Sequence, residues 1–395
     1  MGLNRVNVFS RHVYLLRYLG IAIQLNETEQ NWSQNLRFIL VQIALTMNTI
    51  FQVFTMFEHK NTLVRRSVSL VIFLTSLVTQ IKLILVKMNA DLLGRLFLAL
   101  DTPGAHDEST EMLKVVRLIN RVYVTILVTF LAAWLAYPWL TGDLNLPLPY
   151  WLPFTVNTTV RYIVAYSFVS TVLVIICYTQ EAVDTMLLLV AGQICRRLNA
   201  ISRALQSLGN EEPFLKKYWK HSRAEVDSLG LYTVQNAALS RDETLLKESI
   251  REHVDSIRLI RTFDRVLDDI FLAQVLQSAI LSTMYFFVAS KSENLIRDFP
   301  KLLTVLLATY LQFYMYCWLG EEISQHNDDI HRMLYLSNWY KCRERIMKSL
   351  VIIETFTKTK FKLEGGHLFR IDLRTFVMVL QESISYFMVL RAVLK

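Results

Sequence analysis

Seven stretches of this chain are each long and apolar enough to form a membrane-crossing helix, and that pattern limits the fold more than any other feature. They run approximately from Phe38 to Phe57, Ser67 to Met88, Val122 to Leu140, Tyr162 to Val190, Ile270 to Ser290, Leu302 to Ile323, and Leu373 to Leu394. Crossing roughly 30 Å of hydrocarbon takes about 20 predominantly apolar residues in a helix. One such stretch would suit the core of a large soluble domain, but seven separated by charged loops would not. Composition agrees. Of the 395 residues 53% are hydrophobic and 19% charged, with a mean hydropathy of +0.32, whereas soluble domains carry about 25% charge. The expected fold is all-α, a seven-transmembrane helical membrane protein. No cleavable signal peptide is expected, because Arg5, Arg11 and Arg17 break up residues 1–36.

Charge sets the expected orientation. The segment before the first span, with loops 2, 4 and 6, holds 30 Lys and Arg, against 7 in loops 1, 3 and 5. Without the long loop 4 the ratio is still 17 to 7. Cytoplasmic loops carry the excess of Lys and Arg, which places the N-terminus in the cytoplasm and the C-terminus outside. A G-protein-coupled receptor has the opposite orientation. The net charge of +8 then belongs to cytoplasmic loops, and no nucleic-acid partner is implied. Cys177, Cys195, Cys317 and Cys342 fall in the membrane or on the cytoplasmic side, where thiols stay reduced. The sequons at Asn26 and Asn31 are expected to lie inside and stay silent, whereas Asn157-Thr158-Thr159 lies outside and is open to glycosylation.

The organisation that follows has five parts. Residues 1–190 hold the N-terminal segment and spans 1–4, 191–269 a cytoplasmic loop, 270–323 spans 5–6, 324–372 a cytoplasmic helix, and 373–395 the last span. In loop 4, Leu246, Ile250, Val254, Ile257 and Ile260 recur every three or four residues, which predicts an amphipathic helix running into span 5. Ile346, Leu350, Ile353 and Phe356 repeat the device in loop 6. Gly365-Gly366 is expected to end that helix, and Asp372 to cap the last span. Such faces need partners, either within the subunit or where several subunits meet.

Enzyme signatures are missing. No G-x-S-x-G, G-x-G-x-x-G, P-loop, C-x-x-C or H-E-x-x-H occurs. His326 and His331 are five apart, off a common helical face, so neither a metal nor another cofactor is expected. Glu181 and Asp184 are expected to face water or Arg partners. Lys82 and Lys87 are expected to snorkel.

In the last span, Glu382, Ser385, Val389, Ala392 and Val393 lie near one stripe, polar below and apolar near the outer end. Around a symmetry axis that stripe would line a conduit closed by valines, since apolar constrictions gate by dewetting. The same stripe would also suit a tail helix packed within one bundle. The outer halves of the spans carry Phe73, Leu77, Trp134, Tyr137, Tyr162, Tyr166, Val169, Leu307 and Tyr310. They suit either a pocket for a small organic ligand or interfacial anchoring.

Three stretches carry a family resemblance. One is His253 to Gln277, with Arg261-Thr262-Phe263-Asp264 and Ile270-Phe271. Another is Tyr316-Cys317-Trp318-Leu319-Gly320-Glu321 followed by Asn338-Trp339-Tyr340, and the last runs from Gly365-Gly366-His367-Leu368-Phe369 to Arg391. In these the chain resembles insect odorant receptors. The resemblance implies a ligand-gated, non-selective cation channel in the plasma membrane of olfactory sensory neurons. It further implies a tuning subunit that joins a co-receptor in a tetramer and binds a small volatile organic among spans 2, 3, 4 and 6. It places the gate at Val389 and Val393, beside Ala392. A gustatory receptor channel and a metabotropic seven-transmembrane receptor are the competing readings.

Overall fold

The structure is a computed structural model that describes residues 9–23, 32–58, 63–100, 111–141, 146–154, 158–209, 233–291, 295–342, 344–357 and 362–393. The order is α1 (Ser10–Tyr18), α2 (Trp32–Phe57), α3 (Leu63–Met88), α4 (Ala90–Leu100), α5 (Glu111–Thr141) and α6 (Thr159–Gln206). Then come α7 (Thr233–Lys291), α8 (Leu295–Leu336), a 3-10 turn (Trp339–Lys341), α9 (Glu344–Thr357), strands β1 (Glu364–Gly365) and β2 (Phe369–Arg370), and α10 (Leu373–Val393). Six of the seven expected spans fall within a helix, and the seventh does so as far as Val393, the last described residue. Among the described residues, five helices are long and apolar enough to cross a membrane: Trp32–Phe57, Arg65–Met88, Met112–Ala136, Thr159–Gln206 and Asp242–Val288. The other two expected spans lie in α8 and α10.

The longest helix sits at the centre. α7 packs against α3, α6, α8 and α10, and α6 lies along α8. Helix α2 covers α3 and presents Ile39, Leu40, Ile43, Met47, Ile50 and Phe54 outward. In water such a stripe would demand burial, whereas acyl chains solvate it. The amphipathic pattern from Leu246 onward is continuous with α7, and Leu246, Ile260, Phe263 and Leu267 are buried. Val254, expected on that face, is instead exposed. In α9, Ile346 and Leu350 are buried.

Gly365 and Gly366 have a different task from the one expected. α9 ends at Thr357, and the glycines form an antiparallel hairpin in which Glu364 pairs with Arg370 and Gly365 with Phe369. A Cβ at Gly365 would collide with the Phe271 ring, and Gly366 has φ +61°, a conformation that glycine adopts freely. The Glu364 amide donates to Asp264 Oδ1 (3.3 Å), and the Gly366 amide donates to Asp268. The hairpin is thereby clipped to α7. Asp372 Oδ1 then accepts from the Thr375 amide at 2.8 Å, capping α10 as expected.

Burial, with Asp268 and Glu364 adding to it, raises Asp264 to about 6, against the pull of the Glu364 amide and His367. The fold binds that proton more tightly than the unfolded chain does. Ionisation therefore costs stability, fully above pH 6 and not at all below about pH 4. We expect Asp264→Asn to raise the thermal midpoint at pH 7 by roughly 2 °C and to leave it unchanged at pH 4. Unfolding scans of the solubilised protein at the two pH values check this.

Candidate functional site

Five helices converge on one recessed, partly open space. Each lends residues from one helical face: Val68, Val71, Ile72 and Thr75 from α3, Tyr123, Leu127, Phe130 and Trp134 from α5, and Leu173, Ile176, Cys177 and Gln180 from α6. Gln277, Tyr285 and Val288 come from α7, and Val305, Ala308, Thr309 and Gln312 from α8. The volume is about 120 Å³. Leu148 lines one end, carried on the segment 146–154 that packs against α3 and α6. That segment is pinned where Tyr150 OH donates to Asn48 Oδ1 (2.7 Å) and the Trp151 amide donates to Thr55 Oγ1 (2.8 Å). Phe51, Tyr150 and Phe168 meet edge to face beside it, with centroids 5.9–6.1 Å apart.

The other end of the cavity is polar and rests on a buried ion pair. Lys82 Nζ lies 2.9 Å from Asp184 Oδ1, and both side chains are fully buried. Lys82 also donates to Gln180 Oε1 (3.0 Å) and lies 5.2 Å from the centroid of the Tyr316 ring. Asp184 accepts from Tyr123 OH (2.8 Å), Tyr316 OH (2.6 Å) and Gln312 Nε2. Gln312 Nε2 also donates to Gln180 Oε1 (2.9 Å), and Gln274 Nε2 donates to Gln312 Oε1 (3.2 Å). A charge pair so placed persists only when further hydrogen bonds satisfy it, as these do. Tyr123, Gln180 and Gln312 belong both to this network and to the cavity wall, so the two are mechanically one unit.

The sequence reading of these groups is corrected at several points. Lys82 does not snorkel, and Asp184 faces neither water nor an arginine; the two hold each other inside the protein. Glu181 does meet an arginine, Arg11, at 3.1 Å. Lys87 lies 3.8 Å from the centroid of the Phe38 ring and donates to Asn35 Oδ1 at 3.3 Å.

Of the residues singled out for a pocket, Trp134 lines the cavity. Phe73, Leu77, Tyr162, Tyr166, Val169, Leu307 and Tyr310 are not in its wall. Helical phase is the reason. Leu77 lies two residues beyond Thr75 and Leu307 two beyond Val305, which turns each about 200° away from the lining stripe. Leu77 and Leu307 are accordingly exposed. Tyr166 OH donates to Leu135 O (2.9 Å), tying α6 to α5, and Val169 is buried one turn from Leu173, packed with Leu148 and Tyr150. Phe73, Tyr162 and Tyr310 are half-buried. The side chain of Tyr137 lies outside the described residues, as does Asn157 with the sequons at Asn26 and Asn31.

On α10, Val379 and Ser383 are buried against the bundle, while Glu382, Ser385, Val389 and Ala392 are exposed. Val393 closes the helix, its side chain outside the described residues. Among the described residues, no group of three or more His, Cys, Asp or Glu could hold a metal ion. Cys177, Cys195, Cys317 and Cys342 are unpaired and buried.

This architecture has solved counterparts. The insect olfactory receptor OR5 from Machilis hrabei, in complex with eugenol, superposes with a TM-score of 0.79 over 97% of each chain at 14% identity. Odorant receptor Or1 of Anopheles gambiae is 24% identical over 277 residues, 66% of this chain and 63% of that protein. Odorant receptor 94a of Drosophila melanogaster is 24% identical over 61% of this chain and 57% of its own length. The chain thus aligns with less than two thirds of either relative. An odorant receptor coreceptor of Ooceraea biroi is 21% identical over 39% of this chain and 33% of its own. The family profile described as 7tm Odorant receptor matches residues 62–384, from the start of α3 to within α10. That match takes in every helix of the cavity wall, and the chain belongs to the 7tm Odorant receptor family.

Proposed function

We propose that this protein is the odorant-specific subunit of a ligand-gated, non-selective cation channel. It binds a small volatile organic in the cavity between α3, α5, α6, α7 and α8 and assembles with a co-receptor. The observation that carries the reading is the cavity itself, a recessed, mainly apolar space with a few convergent polar groups in a chain of this family. That is the form of small-molecule sites generally. Similarity to co-receptor proteins supports a related partner. The proposed frame has the N-terminus in the cytosol and the C-terminus outside, in the plasma membrane of olfactory neurons.

α10 is the pore wall in this reading. Its exposed face carries Glu382, Ser385, Val389 and Ala392, and a face left open in one protomer is available to an axis shared by four. An odorant acts by binding the open state better than the closed one, and that difference alone sets the shift. The buried network offers the route, since Gln312 and Tyr123 touch the cavity while Asp184 and Tyr316 tie α6 to α8.

Two experiments test the proposal. Co-expression with a co-receptor is expected to give odorant-evoked cation current, with little from this chain alone; a full response from this chain alone would contradict the partnership. An epitope at the C-terminus is expected to label on intact cells, and labelling only after permeabilisation would overturn the orientation.

A further inference from the structure

The polar groups of the cavity wall divide into those already engaged and those held open. Gln180 and Gln312 are committed to Lys82, Asp184 and each other, and Tyr123 gives its hydroxyl to Asp184. Thr75 Oγ1 donates to Val71 O (2.9 Å) and Thr309 Oγ1 to Val305 O (3.0 Å) within their own helices. Gln277 differs. It is 4% exposed, it lines the cavity, and its Oε1 has no hydrogen-bond partner. Tyr285, two turns further along α7, also lines the cavity with its hydroxyl unpartnered.

A buried amide oxygen without a donor is a costly state, and a ligand that supplies the donor relieves it. Ethers, esters and ketones could accept from Tyr285, but like hydrocarbons they have no donor to give and leave the Gln277 oxygen unpaired. Ammonium and carboxylate groups do not fit either, because the nearest charges, Lys82 and Asp184, already neutralise each other and a third buried charge would stand alone. A hydroxyl is neutral, donates and accepts, and matches a primary amide whichever way that amide is turned. We propose that this cavity selects compounds bearing a hydroxyl group, alcohols or phenols, with the hydroxyl on the Gln277 amide and the apolar remainder toward Phe130 and Trp134. The proposal rests on the reading of the cavity as the ligand site and adds the chemical class that the site prefers.

The test is a set of isomeric pairs applied to the channel formed with a co-receptor: 1-hexanol against pentyl methyl ether, and 1-octanol against heptyl methyl ether. Each pair has one formula and differs in the donor. The alcohols are expected to be at least about tenfold more potent, the factor one neutral hydrogen bond supplies. Gln277→Leu is expected to bring each pair within about threefold by weakening the alcohol and sparing the ether, whose retained response reports a folded variant. Tyr285→Phe is expected to keep the preference. Equal potency in the unmodified channel, or a preference that survives Gln277→Leu or disappears in Tyr285→Phe, would overturn the assignment. If neither class opens the channel while other organics do, the hydroxyl assignment falls and the cavity reading stands. If no member of a broad odorant panel does, the cavity reading falls as well.

Discussion

Replacing Asp184 with Asn is expected to remove the protein from the cell surface. The substitution keeps the shape of the side chain and its acceptor oxygen, but it leaves the fully buried Lys82 ammonium without a counter-charge. Removing one member of a buried pair costs about 3–5 kcal/mol, a large part of the 5–15 kcal/mol by which typical folds are stable. Tyr123, Tyr316 and Gln312 would also lose the charged acceptor they share. The double variant Lys82→Met, Asp184→Leu removes both charges and is expected to recover much of the surface expression, because well-packed apolar groups replace such pairs at little cost. Surface labelling of the single and double variants measures this. A single variant as abundant as the original, or a double variant worse than the single, would show that the pair is not the keystone of the α3–α6–α8 contact.

Asparagine at both Val389 and Val393 is expected to produce a current that flows without odorant and approaches the maximal evoked current of the original channel. Val389 is 58% exposed, turned roughly 100° around α10 from buried Val379 and Ser383. An apolar ring a few ångströms across excludes water, and an ion cannot pass without its hydration. Two carboxamides on each copy of this chain wet that ring and lower the barrier while leaving the ligand cavity untouched. Surface expression should change little, since Val389 is mostly exposed within the protomer. A double variant that stays closed until odorant arrives would move the gate elsewhere on α10 or off it.

The fold was legible because membranes make it so. Every span had to be a long apolar helix, and Leu246 to Ile270 showed the helical period that becomes α7. The hairpin was not. Gly365-Gly366 reads as a helix stop, and nothing local reveals that Phe271 from α7 presses against that backbone. Little of the cavity was legible, for a physical reason. In a transmembrane helix the lipid face and the cavity face are equally apolar, so Leu77 and Leu307 look as suitable as Val71 and Ala308. Polarity is the better guide. Gln180, Gln277 and Gln312 have no use on a lipid face, and each lies in an apolar span and in the cavity wall. Lys82 and Asp184 carried the same message, being opposite charges near the same end of spans 2 and 4.

An inside-out patch excised from cells co-expressing this chain and a co-receptor, bathed in solutions free of nucleotide, is the most direct trial of the claim that receptor and pore are one assembly. Discrete cation openings that begin when odorant is applied, and continue indefinitely in that cell-free patch, are the predicted outcome. Openings that vanish on excision and return only with cytosolic GTP would mean that this protein signals to a separate channel.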